Sequence, residues 1–133
     1  MSTFVDTSAL YALLDEADEF HPRARDWMAG QGADPTELLA THSYILVETI
    51  ALVKPRLGAT ALETLIDGYI PALGVMYVDE PLHLAALTAL RASASRKASF
   101  VDRVSFEFMR HRGIEQAFSF DQDFHREGFE LVP

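Results

Sequence analysis

The chain has 133 residues, enough for one domain spanning 1–133 that buries most of its apolar surface without cross-links. It has no cysteine, which excludes disulfides and thiolate metal sites. Its start lacks the basic flank and apolar run of a signal peptide and no apolar run could cross a bilayer, so a soluble, cytoplasmic protein without membrane association is expected. Twenty acidic side chains against eleven basic ones give a net charge of −9, which argues against wrapping nucleic acid in a basic surface, although six of the eleven cations fall between Arg91 and Arg112.

Phe4 and Val5 form a short apolar strand ending on Asp6, and Asp6-Thr7-Ser8 is helix-starting chemistry for the apolar run Ala9–Leu14. Residues 18–29 repeat apolar side chains at helical spacing until Gly30, Gly32 and Pro35 end the pattern. Leu38–Thr41 reads as a short buried strand and Tyr44–Lys54 as a helix stopped or kinked at Pro55. Gly58–Ile70 gives a further helix, and Val75–Val78 a β-branched strand. Pro81 opens a helix through Leu90, and Ala92–Ala98 is a small, basic loop. Phe100–Arg112 is amphipathic and ends at Gly113; Ile114–Phe120 and Phe129–Val132 are strands, the last at an edge. Strands alternating with helices predict an α/β fold with a mostly parallel sheet and helices on both faces.

Five carboxylates stand out. Asp6 lies at the carboxyl end of a strand, the edge where open α/β sheets bind ligands, with helix capping as its alternative role. Glu48 sits in a helix apolar almost all round, on one face with Tyr44, Ala51 and Leu52. Buried glutamates need a partner, so an ion pair or a metal is implied. Asp102 follows Ser99 at capping-box spacing, and locally cap and ligand are not separable. Asp121 and Asp123 follow the strand 117–120, where turn formation is the plainer role. Asp6 and Asp121 would share one sheet edge. Acids gathered there would repel one another and take up protons unless a hard divalent cation, Mg²⁺ or Mn²⁺, neutralised them. Such ions activate water and stabilise in-line attack on a phosphodiester. The five histidines contain no pair at ligand spacing.

Phe-Val-Asp6-Thr-Ser, Glu48 on an apolar helix, Ser99-Phe-Val-Asp102 and Ser119-Phe-Asp121-Gln-Asp123-Phe together resemble the PIN domain over nearly the whole chain, and most resemble the toxin component of VapBC toxin–antitoxin systems. The resemblance implies a three-layer α/β/α fold with a central sheet of about five strands and a Mg²⁺- or Mn²⁺-dependent endoribonuclease. Asp6, Glu48, Asp102 and Asp121 would form the metal-holding quartet, Asp123 an auxiliary acid, and Ser8 and Ser119 hydroxyls that orient the acids or a bound water. It also implies an RNA substrate, a homodimer and a cognate antitoxin covering the site. Arg91, Arg96, Lys97 and Arg103 flank Asp102 and are the candidate RNA contacts. The apolar surface of Tyr44–Lys54 and Gly58–Ile70 exceeds what one small core needs, which suits a two-fold interface.

A response-regulator receiver would need consecutive acids after its first strand and a lysine after its last core strand. A haloacid-dehalogenase-type phosphatase would need an aspartate where Ser8 stands. The alternative from another class is a catalytically silent PIN-fold module that only binds partners; the intact set of acids speaks against it.

Overall fold

A computed structural model describes residues 2–32 and 36–133. Five short strands make one sheet: β1 (Ser2–Val5), β2 (Leu38–His42), β3 (Gly74–Met76), β4 (Gln116–Phe118) and β5 (Glu130–Val132). Their order is β3-β2-β1-β4-β5 and every pairing is parallel. The sheet grows from β1 outward through β2 and β3, and the chain then crosses back to lay β4 on the other side of β1. The topological switch point therefore lies between β1 and β4, where Val5 pairs with Phe118.

Right-handed crossovers put α1 (Thr7–Leu14), α2 (His21–Ala29), α3 (Ser43–Leu57) and α4 (Ala59–Glu63) on one face and α5 (Glu80–Ala92) with α6 (Phe100–Arg112) on the other. The short α7 (Asp123–Arg126) joins β4 to β5. Aromatic side chains fill the core: Phe4 is fully buried, with Phe108 and Phe124 rings 5.7 and 5.8 Å from its own.

Most predicted elements are present with shifted ends. The second helix starts at His21 rather than residue 18, because Asp18 closes a turn through its Oδ1 on the Phe20 N–H (2.8 Å) and Pro22 suits a first helical turn. The expected breaker Pro35 lies outside the described residues. Pro55 does not end α3. It falls in the last turn, the helix continues to Leu57, and Gly58 at φ +89° closes it by donating to the Lys54 carbonyl. The helix expected over 58–70 begins as α4, widens into a π-helical stretch at Thr64–Tyr69 and tightens into a 3₁₀ turn at Ile70–Ala72. The strands at 75–78 and 114–120 shorten to three residues each. The helix Phe100–Arg112 forms as expected, with Gly113 in the left-handed region at φ +66°.

The helix α3 is not buried on several sides: Ile45, Thr49 and Val53 face the core while Val47 is 66 % exposed. Its all-round apolarity therefore includes an outward side chain at Val47, and Ile66, beyond α4, is also exposed, at 44 %.

Candidate active site

The crevice is built outward from the ends of β1 and β4. Asp6 follows β1 directly and is 4 % exposed. Its N–H bonds to the Phe118 carbonyl of the neighbouring strand (3.1 Å), which fixes it level with Ser119. Ser8 and Ser119 both donate to Asp6 Oδ2, at 2.7 and 2.9 Å, and Ser8 N–H adds a third bond at 3.3 Å. The same two hydroxyls accept the N–H groups of Phe120 and Asp121, each at 3.0 Å. A pair of serines thus ties the first acid to the backbone that carries the fourth. Asp6 Oδ1 has no hydrogen-bond partner among the described residues. Burial pushes the Asp6 carboxyl up to about 6 against the pull of its serine bonds, and Glu48 nearby raises it further.

Glu48 is half-buried on α3, one turn beyond Tyr44. Burial raises its pKa, a bond from Thr7 opposes that, and the charges of Asp102 and Asp121 add to the rise. No arginine neutralises it among the described residues. Asp102 is both cap and cluster member. Its Oδ2 accepts from Ser99 N–H at 2.9 Å while Ser99 Oγ accepts from Asp102 N–H at 3.1 Å, completing the capping box. Burial pushes its carboxyl up to about 6, and the charges of Asp6 and Asp121 act in the same direction. The Asp121 Oδ1 accepts from Asp123 N–H at 2.9 Å, and Asp123 pairs with Arg126 at 2.5 Å.

One carboxylate oxygen each from Asp102, Asp121 and Asp123 lies within 4.8 Å of the other two. The donor set is all oxygen, which fits a hard divalent cation, and Asp6 and Glu48 border it closely enough to raise or share its charge. Chelating proximity therefore centres on the second half of the chain, with the unpartnered Asp6 Oδ1 and the uncompensated Glu48 beside it.

Two residues escaped the sequence reading. Thr7 reads in the sequence only as helix-start chemistry, yet its hydroxyl favours the charged form of Glu48 and accepts from Thr49 Oγ1 at 3.2 Å. Arg126 was unassigned, although its i,i+3 spacing from Asp123 was a visible signal. Among the candidate RNA contacts, Arg91, Arg96 and Lys97 are exposed. Arg103 is not available to RNA: it is 8 % exposed, bound to Glu127 at 2.8 Å and to Ser93 at 2.7 Å, because the helix phase that turns Asp102 to the crevice turns Arg103 inward. His42 is structural. It is fully buried, pushed down to about 3 by that burial, and caps α3 by accepting from Ile45 N–H while its Nε2 meets Ser105 Oγ at 2.9 Å.

A parallel five-stranded sheet flanked by helices, with acids gathered at its switch point, defines the class, and the PIN domain family model matches residues 3–130: the chain belongs to the PIN domain family. It is 33 % identical over 130 residues, covering 97 % of this chain and 96 % of the relative, to the 23S rRNA-specific endonuclease VapC20 of Mycobacterium tuberculosis, in strains CDC 1551 / Oshkosh and H37Rv alike. The crystal structure of M. tuberculosis VapC20, described as a Sarcin-Ricin loop cleaving toxin, superposes with a TM-score of 0.86 over 98 % of this chain and 99 % of that one. FitAcB from Neisseria gonorrhoeae shares the fold, with a TM-score of 0.73 at 15 % identity over 100 % of this chain and 97 % of that one.

Proposed function

We propose that this chain is a metal-dependent endoribonuclease that hydrolyses RNA phosphodiester bonds and acts in the cytoplasm as the toxin of a toxin–antitoxin pair, with 23S rRNA as the first substrate to test. The observation that carries the reading is the meeting of Asp102, Asp121 and Asp123 beside Asp6 and Glu48 in a PIN domain a third identical to VapC20 over almost its whole length. Asp6, Glu48, Asp102 and Asp121, with Asp123 as auxiliary, would hold Mg²⁺ or Mn²⁺. When bound, such an ion lowers the pKa of water and stabilises charge developing on a phosphoryl group. The protein's own part is preorganisation. Ser8 and Ser119 aim Asp6 and pin the backbone of Asp121, Thr7 steadies Glu48, and the Ser99 box holds Asp102 at the start of α6. Arg91, Arg96 and Lys97 offer exposed cations to substrate phosphates. A second copy of the chain would cover the apolar outer face of α3, and an antitoxin would occupy the crevice.

Purified protein is expected to cleave rRNA in Mg²⁺ or Mn²⁺ and to lose the activity in EDTA. Asp6→Asn and Glu48→Gln should each lower the rate by at least about a hundredfold, the scale of removing one transition-state contact. Equal rates for wild type and both variants would expose a contaminant. Absence of cleavage of any RNA by all three would favour the silent binding module.

A further inference from the structure

An acidic nuclease must still find cations for its substrate, and four of the nine arginines here are already paired with carboxylates among the described residues. Arg25 pairs with Asp26, Arg103 and Arg110 share Glu127, and Arg126 holds Asp123. Arg23 differs. It is exposed, in the first turn of α2, and its guanidinium carbon lies 5.5 Å over the ring of Phe120, the residue between Ser119 and Asp121. That ring is itself fixed: its backbone N–H is bonded to Ser8, and it stacks on Phe20 with centroids 4.5 Å apart and planes 5° from parallel. One guanidinium N–H reaches the Pro133 oxygen at 3.2 Å, and no Asp or Glu side chain pairs with Arg23 among the described residues. A guanidinium held over an aromatic face by the ring's quadrupole is kept in place with donors left for a phosphate.

We propose that Arg23, seated on the Phe20–Phe120 stack, is an RNA-binding residue that grips a phosphate next to the scissile one, on the β4 side of the acidic crevice. The site is distinct from the basic loop 91–97, whose cations lie over no aromatic ring among the described residues. The inference rests on the endoribonuclease reading and deepens it: the ring fixes where the strand's phosphates enter relative to Asp121.

The test uses a fluorescent RNA hairpin carrying the sarcin–ricin loop, with binding followed by anisotropy in the non-cleaving Asp6→Asn background at several salt concentrations. Arg23→Ala is expected to weaken binding roughly five- to tenfold and to reduce the salt slope by about 0.7, one phosphate contact to single-stranded RNA. Arg23→Lys should recover part of the loss. The control Arg25→Ala removes the same charge from the same helix and should change affinity less than about twofold. In the cleaving protein, Arg23→Ala should raise KM by a similar factor with kcat within about twofold. Equal effects of Arg23→Ala and Arg25→Ala would overturn the Arg23 assignment and leave the nuclease reading standing. Failure of the parent to bind the hairpin, together with failure of wild type to cleave the hairpin or any other RNA, would overturn both.

Discussion

At the scale of single residues, Asp6 shows how a site is set against the stability of the chain that carries it. Its carboxyl sits at about 6 in the folded, metal-free protein against 3.8 when solvated, chiefly through burial. Below pH about 3.8 it is protonated in both states and contributes nothing. Between there and about 6 the unfolded chain gives up its proton first, so folded stability falls as pH rises and stays lowered above that window. Asp6→Asn keeps an oxygen for Ser8 and Ser119 without the buried charge. In EDTA it should therefore be more stable than wild type by roughly 1–3 kcal/mol near neutral pH, with the difference vanishing near pH 4. Urea unfolding at the two pH values checks this, and a variant less stable than wild type at neutral pH would refute it. The position of Asp6 was legible because a strand followed at once by helix-start residues needs only local pattern. That its partners are Ser8 and Ser119 was not, since Ser119 lies far along the chain and meets it only through the pairing of β1 with β4.

At the scale of elements, α6 is held to the β4–β5 connection by one carboxylate serving two cations. Glu127 accepts from Arg103 at 2.8 Å and from Arg110 at 2.7 Å, and these bonds hold its pKa below the usual carboxylate range although burial pulls the other way. The Arg103 side chain is 10 % exposed and its Nε is buried without a partner, so the guanidinium depends on Glu127 and Ser93. Glu127→Ala should cost about 2–4 kcal/mol by denaturant midpoint, because it strands a buried cation. Adding Arg103→Met, which fills similar volume without charge, should recover most of that. A loss that Arg103→Met leaves untouched would mean that the surface pair with Arg110 carries the effect. Composition placed Arg103 in a basic stretch; only the phase of α6 and a partner 24 residues on reveal it as internal. Glu48 was legible for the converse reason, as a charge in an apolar helix. The same apolarity misled about burial, because sequence cannot distinguish a core-facing side chain from Val47 on an outward face.

At the scale of the whole molecule, the alternation of strands and helices already dictated a parallel sheet, and the crossovers then put its switch point between β1 and β4. What the pattern could not show is strand length, since three-residue strands such as β3 and β4 are held by neighbours rather than by their own propensity. The exposed apolar side chains Val47 and Ile66 lead to an expected mass near twice the 14.8 kDa of one chain by light scattering at micromolar concentration. Val47→Glu should shift the protein towards a single copy with little change in its melting temperature as a monomer. A single-copy mass for the unmodified protein would remove the two-fold interface from the account.

The serine clasp under Asp6 bears on when the crevice takes shape. Both hydroxyl protons go to one carboxylate oxygen, and both hydroxyl oxygens receive amides from the following strand end, so this floor is closed by bonds the polypeptide makes with itself. Loading with an ion then has little left to organise beneath it. On the proposed nuclease reading, the part of the crevice under Asp6 is therefore in place before any ion arrives, and what an ion would still have to draw together are the carboxylates around it.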